Sequence, residues 1–190
     1  MKWFVCLPLL LLLGSSGFAQ GVFSNHTNSA LQKVIQDYPN RFQNIKGELL
    51  AENPQTTDYK SKVEIPGSGG CVLTQYSATK KEIYSWKAEL FEEEDFGKTK
   101  TRFKDLYNQI RNTIVKIDGE KPLILNGAYQ TPTEEKKFSS VLFQLLPTGG
   151  ELSKLQVELS MQHVITGWKI SLIVYEKESK DELQASVTEK

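Results

Sequence analysis

Apolar residues recur at helical spacing in two stretches of the chain, and in eight others they alternate or cluster as strands do. Leu31, Val34, Ile35 and Tyr38 fall at i, i+3, i+4 and i+7, one face of an amphipathic helix. Asn28 or Ser29 is placed to cap its start, and Pro39 disfavours helix beyond Tyr38. The second stripe joins Phe103, Leu106, Tyr107, Ile110, Ile114 and Ile117, with Lys104, Asp105, Asn108, Arg111 and Asn112 on the other side. Asp118-Gly119 is expected to end it. The acidic run Glu92-Glu93-Glu94-Asp95 precedes that helix and complements its dipole, so it reads as structural.

Strand patterns follow each helix. After the first come Lys46–Glu52, Tyr59–Ile65, Cys71–Ser77 and Lys81–Phe91, separated by Asn53-Pro54 and by the turn Pro66-Gly67-Ser68-Gly69-Gly70. After the second come Pro122–Tyr129, Lys137–Leu146, Leu152–Met161 and Ile165–Tyr175. Leu155, Val157, Leu159 and Met161 alternate with Lys154, Gln156, Glu158 and Ser160, the signature of a half-buried antiparallel strand.

The two halves echo one another. Ile65-Pro66 with Gly69-Gly70 answers Leu146-Pro147 with Gly149-Gly150, and Trp86-Lys87-x-x-Leu90 answers Trp168-Lys169-x-x-Leu172. Each half is therefore expected to be one helix-plus-four-strand unit, a pseudo-repeat. The fold class expected is α+β: two such units forming a mainly antiparallel sheet with both helices packed on one face. Joining the units edge to edge is favoured because it removes an exposed edge strand. The first unit is expected over residues 29–95 and the second over 96–175, with a flexible leader at 20–28 and a frayed polar tail at 176–190.

The amino terminus changes the compartment. Lys2 supplies a positive charge, Trp3 to Leu13 an apolar run of 11 residues, and Gly17-Phe18-Ala19 a small-x-small cleavage site before Gln20. That order describes a cleavable signal peptide over residues 1–19. Its apolar run is well short of the roughly 20 residues a membrane span needs, and no second long run follows. The mature protein is thus expected to be exported, periplasmic or extracellular, without a transmembrane span. Composition adds a constraint on partners. The full chain balances 23 basic against 23 acidic residues, and losing Lys2 hardly disturbs that. A near-neutral chain without a basic block gives no electrostatic reason to bind nucleic acid.

Site chemistry is sparse. The glycine-rich turn at Gly67–Cys71 leads into the strand Val72-Leu73-Thr74 and not into a helix, so it is neither a phosphate loop nor a nucleophile elbow. Cys71, the single cysteine left after residue 19, has no protease signature around it and reads as a small buried hydrophobe. Two distant histidines and one mature cysteine make no zinc set, and the 92–95 run lacks the interleaved spacing of a calcium loop. Asn25-His26-Thr27 fits a glycosylation sequon. No catalytic, cofactor-binding or metal-ligating residue is therefore assigned, and no cofactor is expected.

Trp86 and Trp168 stand out because they occupy matching places in the two halves. Either they anchor the core under the helices, or they lie on open sheet surface, where tryptophan makes strong binding contacts. Lys87 and Lys169 should point away from the core in both halves. These four residues form the candidate partner-binding set. The functional expectation is an exported, non-catalytic protein that binds a protein or small-molecule ligand through its open sheet face. A carrier of small molecules or lipid, with a pocket between sheet and helices, is one alternative, and an enzyme lacking any recognisable motif is another.

Overall fold

The computed structural model describes residues 23–77, 82–117, 119, 121–147 and 149–177. The expected signal peptide and all of the expected tail beyond Lys177 lie outside the described residues.

The first helix, α1 (Phe23–Asp37), starts six residues before Ser29. Most of the expected leader is therefore helical. The reason is visible at Thr27, which is buried and continues the stripe of Leu31 and Ile35 one turn back. Its hydroxyl hid that continuation from a purely apolar pattern. Beyond α1 a short 3-10 turn carries Pro39, and Arg41 and Phe42 adopt left-handed backbone, which reverses the chain. The buried Asp37 carboxylate holds this corner by accepting from the backbone N–H of Asn44 (3.0 Å) and Ile45 (3.1 Å) and from Asn44 Nδ2 (2.7 Å).

Four strands follow: β1 (Lys46–Glu52), β2 (Thr56–Ser61), β3 (Gly70–Tyr76) and β4 (Ile83–Glu93). Next comes α2 (Phe96–Arg111), capped by Asp95, whose carboxylate accepts from Lys98 N at 2.7 Å. The helix stops at Arg111, where the Asn112 N–H returns to the Gln109 carbonyl and the Thr113 N–H to the Ile110 carbonyl. The expected continuation to Ile117 does not form. Thr113, Ile114 and Val115 are three β-branched residues in a row, which fit extended backbone better than helix. They supply β5 (Ile114–Val115), with Ile114 exposed and Val115 buried. The chain then lays down β6 (Leu123–Gly127), β7 (Phe138–Leu146), β8 (Leu155–Val164) and β9 (Gly167–Glu176).

All nine strands form one open, antiparallel sheet in the order β1-β2-β3-β4-β9-β8-β7-β6-β5. The seam between the strands of the two halves is β4 against β9, with Trp86 opposite Val174 and Trp168 opposite Glu93. A register shift between Glu89 and Phe91 interrupts it. The fold class is thus α+β, two helices with a nine-stranded antiparallel sheet.

Large buried apolar side chains fall on alternate positions of the central strands. Trp86, Ala88 and Leu90 on β4, Ile170, Leu172 and Val174 on β9, and Val157, Leu159 and Met161 on β8 are all buried. They join one hydrophobic cluster with Leu31, Val34 and Ile35 of α1 and Phe103, Leu106 and Ile110 of α2. Helix α2 touches β4, β9, β8 and β6, whereas α1 touches α2 and β5. Among the described residues no helix is long and apolar enough to cross a membrane.

Candidate functional site

The alternation that fills the core also defines a second sheet face, built from the residues between the buried ones. Register lines them up in rows. Lys60, Val72, Lys87, Ile173, Glu158 and Leu142 make one row across β2, β3, β4, β9, β8 and β7. The next row runs through Glu89, Ser171, Ser160 and Ser140. Ser160 and Ser171 are buried although they point away from the core, because each small hydroxymethyl group sits between longer neighbours on its own strand.

Lys87 and Lys169 lie on this face, half-buried, and they share one carboxylate. Lys87 Nζ is 3.4 Å from Glu89 Oε1, and Lys169 Nζ is 3.4 Å from Glu89 Oε2. Lys169 also reaches Glu92 Oε2 at 3.3 Å, and Thr166 donates to the other Glu92 oxygen. The hydrogen bond from Thr166, then the contact with Lys169, pulls the Glu92 carboxyl below its ordinary value. The hydrogen bond to Glu92 and the charge of Glu89 raise Lys169. The network fixes the two lysines as a neutralised lattice over the seam, so they present less charge than two free ammonium groups would.

The two tryptophans are placed differently. Trp86 is fully buried and Trp168 is 3% exposed. Trp168 packs its ring against Phe96 at 5.0 Å and edge-on to His163 at 5.0 Å. Both indoles therefore belong to the core side, and neither shares a surface with Lys87 or Lys169. The structure brings the two lysines together and keeps the two tryptophans apart, toward opposite ends of the seam.

What the face offers instead is a set of apolar and tyrosine side chains. Tyr76, Ile114, Ile124, Phe138 and Leu142 are each 41–53% exposed. All five sit at positions out of phase with the buried residues of their strands. Half-buried Ile173 and Tyr175 connect them across β9. At the end nearest Tyr76 the surface dips into a depression of about 680 Å³ lined by Tyr76, Ile83, Ser85, Ile173 and Tyr175. Tyr76 and Ser85 hydroxyls lie 3.1 Å apart, and Tyr175 OH donates to Glu158 Oε2 at 3.2 Å. Burial, followed by the Glu158 charge, pushes the Tyr175 phenol up to about 12. Sequence reasoning misses these residues because it follows the buried phase of each strand. The signal is present in β9, where Ile173 and Tyr175 make the solvent phase apolar as well.

Cys71 is buried, and burial raises its thiol above the ordinary value. Its neighbour is Ser68 Oγ at 3.7 Å, a pairing without a general base. One cavity touches both helices and the sheet, through Thr27, Leu106, Arg102 and Leu90, and it holds about 30 Å³, space for one water. Comparison of the chain with protein-family models, with curated proteins and with solved structures finds no match in any of the three.

Proposed function

We propose that this chain is an exported, non-catalytic binding protein that holds a protein partner on the sheet face opposite its core. One observation carries the reading. Of the eight large apolar side chains most exposed among the described residues, five lie on that face. Five large apolar side chains exposed on one sheet face, interleaved with Lys87, Glu158 and Gln144, give the mixed apolar and polar character of a protein interface. Tyrosines at its margin and a neutralised lysine–glutamate lattice suit a protein partner better than a charged ligand.

The architecture supports the same reading if the chain is an internal duplication with both helices on the core side. In that arrangement α1 with four strands and α2 with five, the extra one being the two-residue β5, give two units whose last strands, β4 and β9, meet at the seam. Equating Trp86 with Trp168 maps the pair Trp86–Val174 onto Glu92–Trp168. The pair observed is Glu93–Trp168, one residue away, and the register shift between Glu89 and Phe91 accounts for that residue. Side chains of both helices enter the same cluster as the buried phase of the sheet, which leaves the opposite phase to the partner.

Site-specific photocrosslinking tests the proposal. A photoreactive residue at Leu142 should form a discrete adduct in the fluid into which the natural host exports the chain, and one at exposed Lys104 on α2 should not. Ile173→Glu, with its fold checked by circular dichroism, should abolish the Leu142 adduct. Equal adducts from both positions, or a Leu142 adduct indifferent to Ile173→Glu, would remove the reading.

A further inference from the structure

We infer that β1 is a pairing edge for a second copy of this chain, joined antiparallel about a two-fold axis through Leu49. β1 ends the sheet and pairs on one side with β2, whereas the strand at the opposite edge, β5, is two residues long. β1 contains no proline, and Leu49 and Leu50 are 57% and 55% exposed, more than any other large apolar residue within a described strand. A long edge with adjacent exposed leucines is a template for strand addition.

The register identifies the occupant. β1 carries two irregularities against β2, one between Lys46 and Leu49 and one between Leu49 and Ala51. Irregularities of this kind often blunt an edge. Here they bring Lys46, Leu49 and Glu52 onto one side of the strand, opposite Ser61, Tyr59 and Thr57. In the single chain the Lys46 ammonium is turned inward over the sheet, 3.7 Å from the centre of the Tyr59 ring on β2 and 3.3 Å from Gln75 Oε1 on β3, and strand addition turns it outward across the edge. Lys46 and Glu52 each lie three positions from Leu49. Antiparallel pairing about Leu49 therefore sets Leu49 against Leu49 of the partner subunit and Lys46 against Glu52 of the partner subunit, and symmetry repeats the ion pair at the other end. Sliding the strands by one step either way about the axis sets Glu48 against itself or against Glu52. The register centred on Leu49 overlaps the whole of β1 with both ion pairs formed. It uses neither the outer-face row at Ile173 nor the lysine lattice, so it stands independently of the proposed function.

Sedimentation equilibrium of the full mature chain over a wide concentration range tests this. The native protein should show a reversible monomer–dimer equilibrium that weakens as salt is raised. Glu52→Lys and Lys46→Glu each set like charges together and should each weaken self-association about tenfold or more. Mixing those two variants in equal amounts should restore a dimer, now formed from one chain of each kind. One chain then carries an ammonium at both positions and the other a carboxylate at both, so opposite charges face each other at either end of the paired strands. Should Lys46→Glu fail to fold, Leu49→Lys replaces it as the second disrupting variant. A native chain that stays monomeric, a dimer that survives Glu52→Lys and Leu49→Lys, or two folded charge variants that do not combine would each overturn the inference.

Discussion

The indole N–H of Trp86 donates to Ser61 Oγ at 2.9 Å, where neither side chain reaches solvent. Ser61 Oγ in turn donates to the Val63 carbonyl at 2.8 Å and lies 3.0 Å from the Val63 N–H. One hydroxyl thus satisfies the largest buried aromatic and pins the end of β2 as the chain leaves the sheet. Tryptophan tolerates burial when its single donor is met, and this contact lets Trp86 sit at the seam with no polar group left unpaired.

Truncation of the pair should report that role. Trp86→Ala should cost about 3–5 kcal/mol through the cavity it leaves. Ser61→Ala should cost about 1–3 kcal/mol, because it strands a buried donor. In Trp86→Phe that donor is gone, so adding Ser61→Ala to it should cost less than Ser61→Ala does alone. Urea unfolding of the four proteins measures the coupling, and strictly additive losses would show the contact to be inert.

Gly167 opens β9 at a φ of +128°, and a Cβ there would lie 2.7 Å from the Glu93 carbonyl oxygen and 2.8 Å from Glu94 Cα. Both contacts are with backbone, so the neighbour has little freedom to yield. Gly167→Ala should therefore destabilise by about 2–3 kcal/mol. Gly149→Ala, with open space around the added carbon, should stay within about 0.5 kcal/mol of the native protein. Similar thermal midpoints for the two variants would refute the close approach.

The alkaline limb of stability should carry the mark of Tyr175. Its phenol ionises near 10 when exposed and is pushed up to about 12 in the fold by burial and Glu158. The folded state thus holds this proton more tightly than the unfolded chain does. The resulting stabilisation is complete below pH 10 and drains away as pH rises from 10 toward 12. Tyr175→Phe removes the ionisation and should flatten that decline. The remaining slope falls partly to Tyr38, whose phenol burial raises, with Glu176 and Glu151 adding to the shift. Guanidinium unfolding at several pH values above neutrality makes the comparison, and parallel curves for variant and native protein would contradict it.

Most of the strand content was legible because period-two alternation survives translation into a sheet with one buried face. β1 falls on its expected residues, Lys46 to Glu52, and β8 and β9 lie within three residues of theirs. The single joined sheet followed from the cost of leaving an edge open. Errors arose where local chemistry competed with periodicity. Thr27 carried an apolar role under a polar name, and Ile114 fell in helical phase with Ile110 although its β-branched neighbours favoured extension. The candidate site was half legible. Lys87 and Lys169 follow from strand parity, but their shared carboxylate at Glu89 depends on the pairing of β4 with β9. No local pattern encodes a pairing between segments about eighty positions apart.

The last described strand occupies the middle of the sheet. During synthesis the first four strands and the later set that ends with β8 must each wait with a bare flank until β9 emerges and closes both at once. A long-range closure of this sort comes late and slowly. Until it happens, Trp86 has no wall on the side where Val174 will stand, so the nascent chain is most vulnerable to association with its neighbours just before β9 emerges.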